Sequence, residues 1–142
     1  MSSSRILVAE DDPASLEMVQ MYLESKGYEV SAAPDGNRAL DMAGSGEFDL
    51  LILDVHMPLY GGQEVLQMLR KRLLVHPIKI IALTADTRWV LRDEMKRDGV
   101  DGYLIKPVSL SELGKEVTRL LAAQESPRRF TVPRGNGARF TT

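Results

Sequence analysis

The sequence predicts an α/β protein in which a parallel β-sheet is covered by helices on both faces. Apolar segments of strand length alternate five times with segments of helical periodicity up to residue 123. The third apolar segment, Leu50–Leu53, has no polar position, as expected for a strand buried on both faces. Parallel strands need long crossover connections, which are usually helices, so this alternation is typical of a doubly wound sheet.

The first two strand–helix units show clear boundary signals. Ile6–Ala9 is an apolar strand, and the next helix begins at Asp12-Pro13, because Asp is a favourable N-cap and Pro suits the first turn. Gly27 is expected to end this helix. Tyr28 to Ala32 alternates weakly, which suggests a strand near the sheet edge, and Asp35 to Ala43 is a short helix.

Three further units complete the pattern. The central strand ends at Asp54, after which Pro58 and the Gly61-Gly62 pair turn the chain into the next helix. The remaining segments are, in chain order, a helix from Gln63 to about Arg72, a strand over Ile78–Leu83, a charged helix over Arg88–Asp98, a strand over Tyr103–Ile105 and a final helix that begins at the capping box Ser109–Glu112.

Composition and charge indicate one domain, over residues 5–123, followed by a basic tail. The chain has 142 residues, no cysteine and no signal-peptide or membrane-spanning segment, so we expect a cytoplasmic protein without a membrane partner. Residues 124–142 hold four arginines and one glutamate, which gives this segment a net charge of +3. Because the whole chain has a net charge of −2, residues 1–123 carry a net charge of −5. The tail has no periodicity, so we expect a disordered tail or linker. No other stretch resembles a nucleic-acid-binding stripe.

Four of the five predicted strands deliver polar side chains to the same edge of the sheet. Ligands bind at the carboxyl ends of the strands in such sheets. Two carboxylates about 4 Å apart repel by about 4 kcal/mol at an effective dielectric constant near 20, so an acidic cluster there favours a cation, most naturally Mg²⁺. The side chains are Glu10 and Asp11 after strand 1, Asp54 at strand 3, Thr84 after strand 4 and Lys106 after strand 5.

These residue types together suit phosphoryl transfer. Asp54 is the candidate nucleophile, which would form an acyl phosphate. Mg²⁺ and Lys106 would neutralise the phosphoryl oxygens, and Thr84 would donate a hydrogen bond. Considered alone, Asp54 fits equally well as a helix cap, so the argument depends on the whole set.

Four motifs carry a resemblance to the response-regulator receiver domains of two-component signalling. Each stands at the end of a predicted strand, and their order along the chain is that of the family. They are Ile6-Leu7-Val8-Ala9-Glu10-Asp11-Asp12, Leu53-Asp54-Val55-His56-Met57-Pro58 with Gly62, Ala82-Leu83-Thr84-Ala85, and Tyr103-Leu104-Ile105-Lys106-Pro107.

The resemblance implies a fold and a set of site roles. The fold would be flavodoxin-like, (βα)5, with strand order 2-1-3-4-5. Mg²⁺ or Mn²⁺ would bind near the phosphoacceptor. The implied roles are phosphoacceptor for Asp54, metal ligation by Glu10, Asp11, Asp54 and the backbone carbonyl of His56, phosphoryl binding by Thr84, the Ala85 backbone and Lys106, switching by Thr84 and Tyr103, and a cis bond before Pro107.

The resemblance also implies partners. A histidine kinase or histidine phosphotransfer protein would supply the phosphoryl group, and a downstream protein would bind the face of helix 4, strand 5 and helix 5. Independently of the resemblance, Trp89 on helix 4 is either an anchor for a partner or a half-buried packing residue. A homodimer is compatible with the pattern. His56 either tunes the lifetime of the acyl phosphate or points to solvent. Asp86 either influences hydrolysis of the acyl phosphate or caps helix 4.

Several alternatives stay open at this point. The chain is either a stand-alone regulator or the receiver part of a larger regulator or hybrid kinase. A second class is an aspartate-dependent phosphohydrolase, although those enzymes resemble Asp-x-Asp and here the second position is His56. A third is a scaffold with a receiver fold that accepts no phosphate. Because the domain itself turns over only its own phosphoryl group, we do not expect a dedicated enzyme.

Overall fold

The computed structural model describes residues 3–57, 61–71 and 78–125. Strands and helices alternate along the whole of this part of the chain. In order they are β1 (Arg5–Ala9), α1 (Pro13–Ser25), β2 (Glu29–Ala33), α2 (Gly36–Ala43), β3 (Leu50–Asp54), α3 (Gly62–Arg70), β4 (Lys79–Thr84), α4 (Trp89–Arg97), β5 (Gly102–Ile105) and α5 (Leu110–Glu125).

The five strands form one parallel sheet in the order β2-β1-β3-β4-β5. This confirms the predicted doubly wound fold and its strand order. Strand β3 is central and is buried at all five positions, whereas β2 lies at an edge and is mostly half-buried. Asp54 pairs with Leu83 and Thr84 pairs with Ile105, so the ends of β3, β4 and β5 lie side by side.

The sheet separates two apolar clusters. Leu51 and Leu53 of β3 face the cluster shared with α2, α3 and α4, whereas Leu50 and Ile52 face the cluster shared with α1 and α5. Side chains alternate along a strand, so every apolar residue of β3 serves one face or the other. Full burial of such side chains contributes about 1.5–3 kcal/mol each, which holds the strand ends rigidly in place.

Helix ends follow the predicted capping signals. The Asp12 carboxylate accepts a hydrogen bond from the backbone N–H of Ser15 at 2.9 Å, and the Ser109 hydroxyl accepts one from the backbone N–H of Glu112, also at 2.9 Å. Gly27 has φ +95 immediately after α1, a conformation that glycine adopts without a Cβ clash. Observed boundaries differ from the predicted ones by one or two residues. For example, α3 ends at Arg70 instead of Arg72.

Two sequence-based predictions concern residues outside the described part of the chain. They are the turn at Pro58 and the disordered tail, most of which lies beyond residue 125. The first two residues of the predicted tail, 124 and 125, instead belong to α5. Within the described residues, none of the helices has both the length and the apolar character needed to cross a membrane.

Candidate functional site

Polar side chains are buried at one place in the described structure, the carboxyl edge of the sheet. Among the described residues, the only buried polar or charged side chains are those of Glu10, Asp54 and Thr84, which are 4%, 2% and 0% exposed. Each stands where a strand ends: Glu10 directly after β1, Asp54 at the end of β3 and Thr84 at the end of β4. Burying a charge is costly unless it is paired, so this concentration points to a site.

Lys106 links two of these carboxylates. Its Nζ lies 3.2 Å from Glu10 Oε1 and 3.2 Å from Asp54 Oδ2. Partial burial lowers the pKa of Lys106, but the hydrogen bond with Asp54 and the charges of Asp54 and Glu10 outweigh it, so the pKa is raised. The ammonium therefore stays charged and provides a fixed cation beside the Asp54 carboxylate.

Three carboxylates converge here. Carboxylate oxygens of Glu10, Asp11 and Asp54 all lie within 4.8 Å of one another, and the Asp11 side chain is exposed while the other two are buried. Burial raises the pKa of Glu10, and its hydrogen bond with Asp54 raises it further. One ammonium against three carboxylates leaves an excess of negative charge. This geometry suits a divalent cation with oxygen ligands.

The backbone at Asp54 and Val55 lies in close contact with the backbone of Gly62, a contact that the sequence analysis did not predict. A Cβ added at Gly62 would lie 2.6 Å from Val55 Cα and 2.7 Å from Asp54 O. The backbone N–H of Gly62 donates to Val55 O at 2.8 Å, and that of His56 donates to Asp54 Oδ1 at 3.1 Å. The sequence predicted only a turn at Gly62, because a close approach between backbones leaves no other local signal.

The Thr84 hydroxyl has two neighbours within hydrogen-bonding distance. Its Oγ1 accepts a hydrogen bond from the backbone N–H of Asp86 at 3.0 Å, and it lies 3.4 Å from Nε2 of His56. The His56 side chain, although exposed, is therefore turned toward Thr84. The sequence analysis left its direction open.

Asp86 is fixed by an arginine that the sequence analysis did not single out. The Arg88 Nε donates to Asp86 Oδ1 and Oδ2 at 2.9 and 3.0 Å, and the backbone N–H of Arg88 donates to Oδ1 at 2.9 Å. These bonds from Arg88 lower the pKa of Asp86 to about 2. Asp and Arg two residues apart, just before a helix, are the only sequence signal for this pair.

Tyr103 lies apart from the carboxylates, between the apolar core and helix α4. Its half-buried ring packs against the cluster shared with α2, α3 and α4, and the guanidinium carbon of Arg92 lies 6.0 Å from the ring centre. The buried Tyr103 hydroxyl has no hydrogen-bond partner among the described residues. Burial raises the pKa of Tyr103. An unpaired buried hydroxyl is uncommon in folded proteins.

The remaining predicted positions lie where the topology puts them. Ala85 is exposed directly after β4, beside Thr84. The Lys106–Pro107 peptide bond is cis. The structure thus brings together Glu10, Asp11, Asp54 and Lys106, and places Thr84 and His56 as a second, adjacent pair.

The strand order gives the chain a flavodoxin-like fold, and its acidic edge is the place where such folds bind ligands. The family model described as "Response regulator receiver domain" matches residues 6–118. The chain therefore belongs to the response regulator receiver domain family, which is a family of signalling domains and not of dedicated enzymes.

Among curated proteins, the chain is similar to the alkaline phosphatase synthesis transcriptional regulatory protein PhoP of Bacillus subtilis. The two are 36% identical over 124 residues, which is 87% of this chain and 50% of PhoP. The chain spans about half the length of the first curated relatives that it matches. The relatives include both transcriptional regulators and sensor histidine kinases.

Solved structures show the same fold over their full length. The chemotaxis protein CheY4 of Vibrio cholerae is 33% identical, with a TM-score of 0.77 over 84% of this chain and 99% of CheY4. The receiver domain of the sensor histidine kinase PA1611 of Pseudomonas aeruginosa is 28% identical, with a TM-score of 0.77 over 85% of this chain and 99% of that domain. The latter structure holds a magnesium ion in its active site cleft.

Proposed function

We propose that Asp54 accepts a phosphoryl group from a phosphohistidine of a histidine kinase or phosphotransfer protein, and that the acyl phosphate controls the binding of a partner. The observation that carries this proposal is the burial of the Asp54 carboxylate at the end of β3, against the ammonium of Lys106 and beside the carboxylate of Glu10. The arrangement offers a nucleophile and a cation at the edge where sheets of this kind bind ligands.

A magnesium ion fits the donor set of this site. The oxygens of Glu10, Asp11 and Asp54 are hard ligands, and their separation of at most 4.8 Å allows one ion to contact all three directly or through water. The family resemblance adds the backbone carbonyl of His56, and Mn²⁺ would suit the same ligands. When bound, the ion would neutralise charge on the phosphoryl oxygens during transfer.

The transfer step follows from the residues around Asp54. A carboxylate oxygen of Asp54 attacks phosphorus, the P–N bond of the phosphohistidine breaks, and its electron pair stays on the imidazole nitrogen. Lys106 would hold one non-bridging oxygen of the new phosphoryl group. Thr84 would donate a hydrogen bond from its hydroxyl to another, and the Ala85 backbone would assist. Water later attacks phosphorus and restores the Asp54 carboxylate with release of inorganic phosphate.

The output of this step would appear at the face of α4, β5 and α5. Apolar side chains of Trp89, Val90 and Ile105 are 71%, 49% and 40% exposed there. Movement of Thr84 toward the phosphoryl group would open space for the Tyr103 ring, whose hydroxyl lacks a partner among the described residues. Phosphorylation would then shift the populations of two packings of this face.

The proposal is tested by intact-mass measurement after incubation with acetyl phosphate. One phosphoryl adduct is expected with Mg²⁺, and none with Mg²⁺ removed by a chelator. Asp54→Asn should abolish the adduct, whereas Asp41→Asn, on the exposed side of α2, should not. An adduct that persists in folded Asp54→Asn would contradict the assignment. Absence of an adduct in the unmodified chain, with both acetyl phosphate and a phosphotransfer protein as donors, would favour the scaffold alternative.

A further inference from the structure

A groove between helices α1 and α5 lies outside the phosphorylation site. It has a volume of ≈ 580 Å³, within the range of about 300–1,000 Å³ that is usual for small-molecule sites. Its α1 side ends at Lys26 and Tyr28, which precede β2 and so lie at the sheet edge opposite to Asp54. Its walls come from the end of α1, the turn that follows it and the first three turns of α5.

The groove is locally basic in an acidic domain. Three cationic side chains line it, from Lys26, Lys115 and Arg119, and none of its described lining residues is acidic. Arg119 is held by Glu116 and by the backbone carbonyl of Asp101. Neither lysine forms an ion pair with any described residue, so both ammonium groups are available to an anion. A negatively charged ligand complements this surface.

Aromatic and hydroxyl groups accompany the cations. The Lys26 Nζ lies 5.3 Å from the centre of the Tyr22 ring, which places a cation and an aromatic face side by side. A Cβ at position 114 would lie 2.5 Å from the Tyr22 hydroxyl oxygen, so the glycine of α5 lets the tyrosine close against the helix. Ser111 and Thr118 add hydroxyls along the α5 wall. Such a lining suits a ligand with both a planar ring and a phosphate.

From these observations we propose that the groove binds a nucleotide, with the base against the tyrosines and the phosphate against Lys26 and Lys115. Stacking on an aromatic side chain and charge-assisted hydrogen bonds to phosphate are the two interactions that its lining provides. The chain's own stretch 126–142 does not complement the groove, because it carries four arginines and no acidic residue. The proposal is independent of Asp54 and of its phosphorylation.

The test is a titration of the full ¹⁵N-labelled chain with three probes, AMP, adenosine and ribose 5-phosphate. We expect AMP to shift the amide signals of Tyr22, Lys26, Gly114 and Lys115, and to bind more tightly than either fragment. GMP serves as a second nucleotide. Lys115→Gln should weaken AMP binding about tenfold, the loss expected for one charge-assisted contact. Lys96→Gln, an exposed lysine of α4, should leave it unchanged.

A second variant tests the aromatic wall without removing charge. Gly114→Ala should displace Tyr22 and weaken AMP binding, but leave binding of ribose 5-phosphate unchanged. Equal affinity for AMP and ribose 5-phosphate would overturn the nucleotide assignment in favour of a simple anion site. Binding of an acidic peptide at these amides without binding of AMP or GMP would overturn it in favour of a protein-docking groove. No shift with any probe would overturn it outright, and acetyl phosphate labelling of Asp54 would be unaffected in every case.

Discussion

Two residues connect Thr84 to the first turn of helix α4. The Thr84 hydroxyl accepts the backbone N–H of Asp86, and the Asp86 carboxylate binds Arg88, which is the N-cap residue of α4. The two contacts share Asp86 and so form a continuous link. A displacement of Thr84 toward a phosphoryl group would act on α4 through these bonds.

We expect Arg88→Ala to raise the pKa of Asp86 from about 2 toward its ordinary value of 3.8, because the guanidinium and its hydrogen bonds are lost. A carboxyl whose pKa is lowered on folding stabilises the folded state above its ordinary pKa, and this contribution is lost as the pH falls toward 2. The measurement is the pH dependence of the Asp86 carboxyl ¹³C shift. Arg92→Ala is the control and should leave this pKa low. A measured pKa near 3.8 for Asp86 in the unmodified protein would contradict the Asp86–Arg88 pair.

Gly62 is the residue whose replacement should disturb the Asp54 backbone most directly. We expect Gly62→Ala to lower the free energy of unfolding by about 1–3 kcal/mol, the usual cost of overpacking, because the new Cβ meets Val55 Cα at 2.6 Å. Urea denaturation measures the loss. Gly61→Ala is the matched control, since its nearest contact would be 3.4 Å from Val55 O. Equal stability of Gly62→Ala and the unmodified protein would show that the close approach does not exist in solution.

At the residue scale, the sequence predicted which side chains converge but not what each one touches. Glu10, Asp54 and Lys106 could be placed together because each follows a strand of the same parallel sheet. The contact of His56 with Thr84 could not be predicted, because it depends on a side-chain torsion. The contact of Gly62 with the backbone at Asp54 and Val55 could not be predicted either, because it joins two backbone segments across a turn.

At the scale of elements, a polar seam joins helices α3 and α4. Gln63 Nε2 donates to Glu94 Oε1 at 3.3 Å, Gln67 Nε2 donates to Asp98 Oδ2 at 3.2 Å, and Arg70 Nη2 donates to the backbone carbonyl of Gly99 at 2.6 Å. The three donors recur at positions i, i+4 and i+7, which lie on one face of a helix. The seam joins α3 to α4 and to the turn that follows α4.

The seam should draw most of its stability from its charged member, Arg70. We expect Arg70→Ala to lower the free energy of unfolding by about 1–2 kcal/mol, because the Gly99 carbonyl loses a charged donor and Asp101 loses an ion-pair partner. Gln67→Ala, which removes a neutral hydrogen bond, should cost no more than about 0.5 kcal/mol. Both values come from urea denaturation of the same protein. If the two losses were equal, the charge of the donor would not determine the strength of the seam.

The presence and order of the helices and strands could be predicted from the sequence, but their first and last residues could be predicted only to within one or two positions. Apolar runs and capping signals identified all ten elements, because burial on both faces and N-caps such as Asp12 leave direct marks in the sequence. Boundaries moved by one or two residues where no cap marks the end, as at the end of α3 near Arg70. The α3–α4 seam escaped prediction because its partners lie 31 residues apart and are ordinary surface residue types.

For the whole molecule, the fold separates a rigid apolar interior from a single polar edge. The two apolar clusters hold the strands from both faces, and the buried polar side chains of the described residues occur only where β1, β3 and β4 end. Burying carboxylates has a free-energy cost, so their concentration at one edge points to a functional site. The family membership and the site geometry both support the proposed phosphoryl transfer to Asp54.

The central claim is that Asp54 itself carries the phosphoryl group, and chemical trapping tests it most directly. Protein treated with acetyl phosphate and Mg²⁺ is reduced with borohydride, which converts an aspartyl phosphate to homoserine, and is then digested and sequenced by mass spectrometry. We predict homoserine at position 54 and at no other aspartate. Homoserine at Asp11, or a reduced glutamyl product at Glu10, with Asp54 unchanged, would contradict the account.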